Sequence, residues 1–248
     1  MQGVRIDKAG ENGIVIDFGN VIDPGVNNRV HGLAREILAK MAEDVIEVIP
    51  TYRSLMVYFD SLNISRNSIE TKIGRILEKM TGGDNVAGEA TLVTIPVCYG
   101  GEFGPDLGFV AEHSKISTQE VIDIHTSKPY QVYMLGFTPG FPYLGGMSEL
   151  IATPRLTQPR EIIPAGSVGI AGSQTGIYPI ASPGGWQLIG RTPLRVFNPR
   201  APNPFLFAAG NYLQFTVIDA SAFENIRQQV ESGSYIPMTS TIRIEEAA

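Results

Sequence analysis

From the N-terminus the chain alternates between two periods of apolar residues. Val4 to Ile6 and Ile14 to Phe18 are short β-like runs separated by a turn at Gly10 to Gly13, which is the pattern of a hairpin. Asp23-Pro24 then supplies an N-cap and a first-turn proline, and Val30, Leu33, Ile37, Leu38 and Met41 recur at helical spacing as one apolar stripe, with His31 beside it. The order repeats. Val45 to Ile49 and Ser54 to Phe59 are joined at Pro50-Thr51-Tyr52-Arg53, and Ile69, Ile73, Ile76, Leu77 and Met80 give a second helix an apolar face that ends at Gly82-Gly83. Two hairpins and two amphipathic helices in the order ββαββα predict an antiparallel sheet covered on one face by the helices, an α+β domain. The polar, Gly-bearing TGGDNVAGEA at 81–90 is the expected linker, so the N-terminal domain spans 1–90 and a second domain 91–248.

The second part changes texture. Thr91 to Cys98 is a strand, and two short helices follow: Pro105 to His113, with Asp106 in its first turn, and Thr118 to His125, opened by a capping box of Ser117 and Glu120. His125 falls in the last turn, where the helix dipole and the final carbonyls favour a protonated imidazole in a structural role. Val132 to Phe137 leads into residues 135–193, which hold 11 of the 27 glycines and 8 of the 17 prolines. Each such residue pins a turn. The apolar runs between them (Ile162-Ile163, Val168 and Ile170, Leu188-Ile189) are what a disordered segment lacks, so the stretch reads as a tightly turned, mainly β domain. Beyond it, Leu194 to Phe197 and Leu213 to Val217 read as further β-runs, and Ser221 and Glu224 as caps of a last helix that carries Phe223, Ile226 and Val230 and ends at Gly233. The tail TSTIRIEEAA reads as an edge strand or a frayed end.

Charge removes several function classes. With 19 basic against 25 acidic residues, a net charge of −6 and no basic run, nucleic acid is not the main partner. No apolar run approaches the ~20 residues of a membrane span and the N-terminus lacks the apolar core of a signal peptide, so a cytoplasmic location is expected. The single Cys98 excludes an internal disulfide and, lying within a strand, reads as an inert buried thiol; with three scattered histidines it offers no metal site of the usual spacings. Gly100-Gly101-Glu102-Phe103-Gly104-Pro105 resembles a glycine-rich phosphate cradle, yet neither GxGxxG nor GxxxxGK[ST] occurs, so ATP, if used, is held by another backbone geometry. No GxSxG or HExxH motif is present.

Within 135–193 the only formal charges are Arg155, Arg160, Arg191, Glu149 and Glu161. An arginine fork matches a carboxylate or phosphate bidentately, although each arginine can equally brace loop carbonyls. Arg155 and Arg160 flank Leu156-Thr157-Gln158-Pro159 and are spaced to converge on one anion, with backbone donors from Pro164-Ala165-Gly166-Ser167. The alternative is that one of them pairs with Glu149 or Glu161 and holds the loop. The same stretch supplies Phe137, Pro139, Phe141, Tyr143, Gln174, Tyr178 and Trp186 as a candidate substrate or partner surface.

Taken together, LGFTPGFPYLGG, TPR, IPAGSVGIAGSQTGIYP, SPGGWQLIGRTP and the upstream IPVCYGGEFGPDL resemble the KipI family, over essentially residues 1–220. This family is also described as the B subunit of prokaryotic ATP-dependent 5-oxoprolinase and as the first half of allophanate-hydrolase and urea-carboxylase carboxyltransferase modules. The resemblance implies a small α+β domain followed by a cyclophilin-like β-barrel. It implies two partners, a homologous KipA-type protein and a LamB/YcsF-type protein, with ATP spent in cleaving 5-oxoproline to glutamate by the assembled complex. It also implies a second role, inhibition of a sporulation sensor histidine kinase, for which the aromatic residues would serve as anchors. On the enzyme reading Arg155, Arg160 and Arg191 are the expected catalytic cations, and the chain is expected not to be self-sufficient.

Overall fold

The computed structural model describes residues 3–21, 23–80 and 89–243; the expected linker at 81–90 lies, apart from its last two residues, outside them. The described chain forms two compact units, one running to Glu89 and including Arg243, the other Ala90–Ile242. None of the described helices is long and apolar enough to cross a membrane.

In the first unit β1 (Arg5–Ala9), β2 (Gly13–Asp17), α1 (Pro24–Lys40), β3 (Val45–Pro50), β4 (Ser54–Phe59) and α2 (Arg66–Lys79) follow in the expected order. They build a four-stranded antiparallel sheet of order β1-β2-β4-β3. Asp23 accepts from the N–H groups of Gly25 and Val26 at the start of α1, and Ser65 does the same for α2 from Ser68, so both helices open on a satisfied cap. Alternate strand residues Ile14, Ile16, Leu55, Val57 and Phe59 face Val30, Leu33, Ile37, Ile69 and Ile73 of the helices in one core. The two periods read from the sequence therefore meet on a single buried face.

The second unit begins with β5 (Glu89–Tyr99), α3 (Leu107–Ser114), α4 (Thr118–Thr126), β6 (Tyr130–Leu135) and β7 (Pro142–Gly145). The turn-rich stretch then gives β8 (Arg160–Ile163), β9 (Ser167–Ala171), β10 (Gln174–Ile177), β11 (Ser182–Gly184) and β12 (Gln187–Arg191), and the chain ends on β13 (Tyr212–Val217), α5 (Ala220–Ser232) and β14 (Thr239–Arg243). Strands β10-β9-β12-β5-β13-β6-β7 form one curved sheet to which β14 adds beside β5. The β5–β13 pair is parallel and the other pairs along that path are antiparallel, so the sheet is mixed. Its end strands β7 and β10 approach each other, which makes a nearly closed barrel. Val93, Ile95 and Val97 on β5, Tyr130 and Val132 on β6, and Leu213 and Phe215 on β13 fill it. The mainly β second half expected from the Gly/Pro punctuation is this barrel, with β8 and β11 as a separate pair on it.

Four local expectations are corrected. Leu194 to Phe197 forms no strand and makes only the isolated bridge Phe197 to Phe205: Pro193 has no N–H to give a ladder, and the Leu194 N–H turns back onto Thr192 Oγ1. The last helix is capped by Asp219, which accepts from the Ala222 N–H at 2.7 Å, while Glu224 bonds Arg227. Strand β6 stops at Leu135 because Phe137 sits at φ 62°. Helix α3 starts at Leu107, and Asp106 before it makes no side-chain cap because its carboxylate is committed elsewhere.

Candidate functional site

The turn-rich stretch folds its aromatic residues into one cluster. Phe141 lies at its centre, with edge-to-face contacts to Phe137 (5.6 Å between ring centroids), Tyr143 (5.4 Å), Tyr178 (5.7 Å) and Trp186 (5.5 Å). Phe141, Tyr178 and Trp186 are buried with Ile163, Ala171 and Leu188, and Tyr143 packs partly buried against them. Phe137 is the exception at 69% exposed. Its backbone is held in a tight turn by the Thr138 N–H donating to the Gly136 carbonyl at 2.7 Å, a left-handed conformation that is costly for a residue with a Cβ. Pro139 is exposed beside it, and Gln174 opens β10 half-buried. Of the seven candidate surface residues, the fold thus presents Phe137 and Pro139 and uses Phe141, Tyr178 and Trp186 as core.

The three arginines are engaged differently. Arg160 Nη2 donates to Asp106 Oδ1 at 2.7 Å and its Nη1 to the Trp186 carbonyl at 3.2 Å, while Asp106 Oδ2 accepts the Leu188 N–H at 2.6 Å. One carboxylate therefore ties β8, β12 and the start of α3 together, and the partner of Arg160 is neither Glu149 nor Glu161. Arg155 is exposed. Its charge and that of Arg160 both act on the Tyr178 phenol, which burial pushes up to about 12 against them. Arg191, half-buried, donates Nε to the Ala165 carbonyl at 3.0 Å on the far side of the Pro164–Gly166 turn.

This geometry alters what replacing Arg160 should do. Lysine keeps the charge but cannot reach Asp106 and the Trp186 carbonyl with one fork. The pair is partly exposed, at 29% for Arg160 and 13% for Asp106, so the expected loss is about 1–2 kcal/mol. Arg160→Lys should lower the melting temperature by about 2–6 °C. An unchanged thermal scan would show that the Asp106 contact holds nothing in place.

The glycine loop after β5 does not fit a phosphate cradle. Four amides here are spent on the protein: Gly100 N–H donates to the Ile189 carbonyl, Phe103 and Gly104 N–H to the Gly100 carbonyl, and Asp106 N–H to the Leu188 carbonyl. The loop is a clasp onto β12. His125, expected as a protonated cap, is instead wholly buried, its Nδ1 2.8 Å from Tyr99 Oη and its Nε2 2.8 Å from Thr175 Oγ1, with the Phe215 ring 4.5 Å away. Burial lowers its pKa to about 3, so it is neutral. Sequence reasoning missed Asp106 as the partner of Arg160 and Thr175 as the partner of His125, because the paired residues lie 54 and 50 positions apart in the chain.

The chain thus joins an α+β unit to a nearly closed mixed barrel. The chain belongs to the family of the carboxyltransferase domain, subdomains C and D, whose model matches residues 4–207. It is 44% identical over 235 residues to the 5-oxoprolinase B subunit of Bacillus subtilis (strain 168), covering 91% of this chain and 97% of that protein. Identity to the 5-oxoprolinase B subunit of Escherichia coli O157:H7 is 38% over 216 residues, covering 87% and 96%. Among solved structures, the conserved uncharacterized protein PH0987 from Pyrococcus horikoshii is 48% identical over 88% of this chain and 100% of its own, with a TM-score of 0.53. The Kluyveromyces lactis urea carboxylase, at 19% identity, shares the fold, with a TM-score of 0.78 over 97% of this chain and 24% of that one.

Proposed function

We propose that this chain is the B subunit of an ATP-dependent 5-oxoprolinase complex that converts 5-oxo-L-proline to L-glutamate, acting with a KipA-type partner and a LamB/YcsF-type partner. The observation that supports the reading most is the 44% identity to a 5-oxoprolinase B subunit across 97% of that relative's length. The site chemistry agrees with a component that is not self-sufficient. Its buried histidine is neutral and locked between two hydroxyls, and Arg160 is engaged with Asp106. Arg155, exposed, and the terminal nitrogens of Arg191 are the groups of the candidate set positioned to neutralise a substrate carboxylate or a phosphoryl oxygen. On this reading ATP is used by the assembled complex and is not assigned to the glycine loop, where the Gly100, Phe103, Gly104 and Asp106 N–H groups bond within the protein.

The test is ATP-dependent cleavage of 5-oxoproline by the chain alone and after adding the KipA-type and LamB/YcsF-type partners. Turnover is expected only in the full mixture. Full turnover by the chain alone, or a mixture that works equally well without it, would overturn the proposal. A second reading, restraint of a sensor histidine kinase, is supported by one observation, the exposed Phe137 on its constrained turn. It is the outcome to adopt if the chain leaves turnover untouched and stops autophosphorylation of a dimeric kinase.

A further inference from the structure

We propose a binding site in the barrel unit for a small anion carrying a carboxylate or phosphoryl group, in a cleft of about 200 Å³ between the segment after β12 and one face of α5. It shares Arg191 with the oxoprolinase reading, but it is argued from the cleft and from Arg195, which that reading does not use. Three arginines, Arg191, Arg195 and Arg227, line the cleft in a chain of net charge −6. They are not equivalent. Arg227 is neutralised, its Nε and Nη2 bonding the two oxygens of Glu224 at 2.8 and 2.6 Å and its Nη1 bonding Glu231 at 2.5 Å. Arg191 spends only Nε on the Ala165 carbonyl, which leaves both terminal nitrogens of its fork. Arg195 is exposed and makes no hydrogen bond or ion pair with the other described residues. Two forks without carboxylate partners at one cleft match the geometry of a carboxylate or phosphoryl group.

The walls make the site a preformed one. Gly166, at φ +83°, lets the turn press so close to the next segment that a Cβ there would stand 2.4 Å from the Thr192 carbonyl oxygen. Its N–H donates to the Tyr178 carbonyl and its own carbonyl accepts from Thr192, so the Ala165 side of the cleft is stitched to the Arg191–Arg195 side. Phe223, Arg227, Val230 and Glu231 lie on one face of α5 and close the other wall. The volume is below the usual ~300–1,000 Å³ of drug-sized sites, which restricts the ligand to roughly amino-acid size.

Isothermal titration of the full chain at low ionic strength, where surface charge is least screened, tests the site with three probes: inorganic phosphate, 5-oxoproline and L-glutamate. At least one is expected to bind saturably. Arg195→Gln and Arg191→Gln should each weaken that binding by about tenfold or more, and Lys128→Gln, an exposed cation that does not line the cleft, should leave it unchanged. Because the Arg195 side chain holds nothing in the fold, Arg195→Gln should melt with the wild type, so its loss of binding would not be unfolding. Binding of phosphate alone assigns the phosphoryl class, and binding of 5-oxoproline or glutamate alone the carboxylate class. Absence of saturable binding of all three at tens of millimolar, or equal affinity in the wild type and Arg195→Gln, would overturn the proposal.

Discussion

The barrel unit is expected to lose on the order of 2 kcal/mol of stability between pH 6.5 and pH 5, and on the order of 4 kcal/mol by pH 3, from His125 alone. The Thr175 hydroxyl donates to the Gly169 carbonyl at 3.2 Å, so toward His125 it can only accept, and Nε2 carries the proton. Nδ1 then accepts from the Tyr99 hydroxyl, whose own pKa burial raises well above the usual phenol value, so the donor persists. Protonating Nδ1 would set two donors against each other in a buried site. In the folded chain the imidazole titrates only at about 3, whereas in the unfolded chain it titrates near 6.5. Below 6.5 the unfolded state therefore binds a proton that the folded state refuses, and stability falls as the pH falls, levelling off only below the folded value. Trp186, the single tryptophan, lies in the barrel and reports its unfolding. Urea titrations of its fluorescence at pH 6.5 and 5, above the range where carboxylates dominate, should show the slope in the wild type and its loss in His125→Gln. Equal slopes in the two proteins would mean that the buried histidine is not the titrating group.

Gly104→Ala is expected to destabilise the barrel by about 3 kcal/mol or more, lowering its melting temperature by about 6 °C or more. A Cβ at Gly104 would stand 2.0 Å from the Ile189 carbonyl oxygen, 2.2 Å from its carbon and 2.7 Å from the Gly190 nitrogen. All three are backbone atoms of β12, held by the same clasp that receives the Gly100 and Asp106 N–H groups, so no rotamer can relieve the overlap. Gly101→Ala is the control, since its Cβ would meet nothing within 4 Å and the cost is the strain of φ +52° alone, about 1 kcal/mol. A loop built to hold phosphate would give the opposite pattern, with both variants folded and anion binding lost. If Gly104→Ala melts within about 2 °C of the wild type, the clasp reading fails.

The features legible in the sequence were those that act over one or two turns of chain. Asp23 and Ser117 cap their helices because an N-cap needs only a side-chain oxygen two or three residues from the free N–H, and the Ser117–Glu120 box forms as its spacing requires. Gly233 ends α5 at φ 75°, where a Cβ would be strained. The ββαββα order and its helical stripes were readable for the same reason: the burial of Ile14, Ile16, Val30, Leu33 and Ile37 follows from period alone. The resemblance of the turn motifs carried the barrel, since eleven glycines and eight prolines mark where strands end but not which strands pair.

What only the tertiary structure decided is the partner of each polar group. Arg160 meets Asp106 across 54 residues, Leu188 N–H meets the same carboxylate across 82, and His125 meets Thr175 across 50. No spacing rule links such pairs, because they join elements that become neighbours only once the chain has folded: β8 and β12 to the start of α3, and α4 to β10. The same folding turned a helix-terminal histidine, which local electrostatics would protonate, into a neutral core residue, because desolvation outweighs a helix-end charge worth about 1 kcal/mol. By itself the sequence determined the local elements and the family; the assignment of arginines to brace, to surface or to cleft waited on the barrel, since side chains far apart in the chain become neighbours only when the strands between them pair.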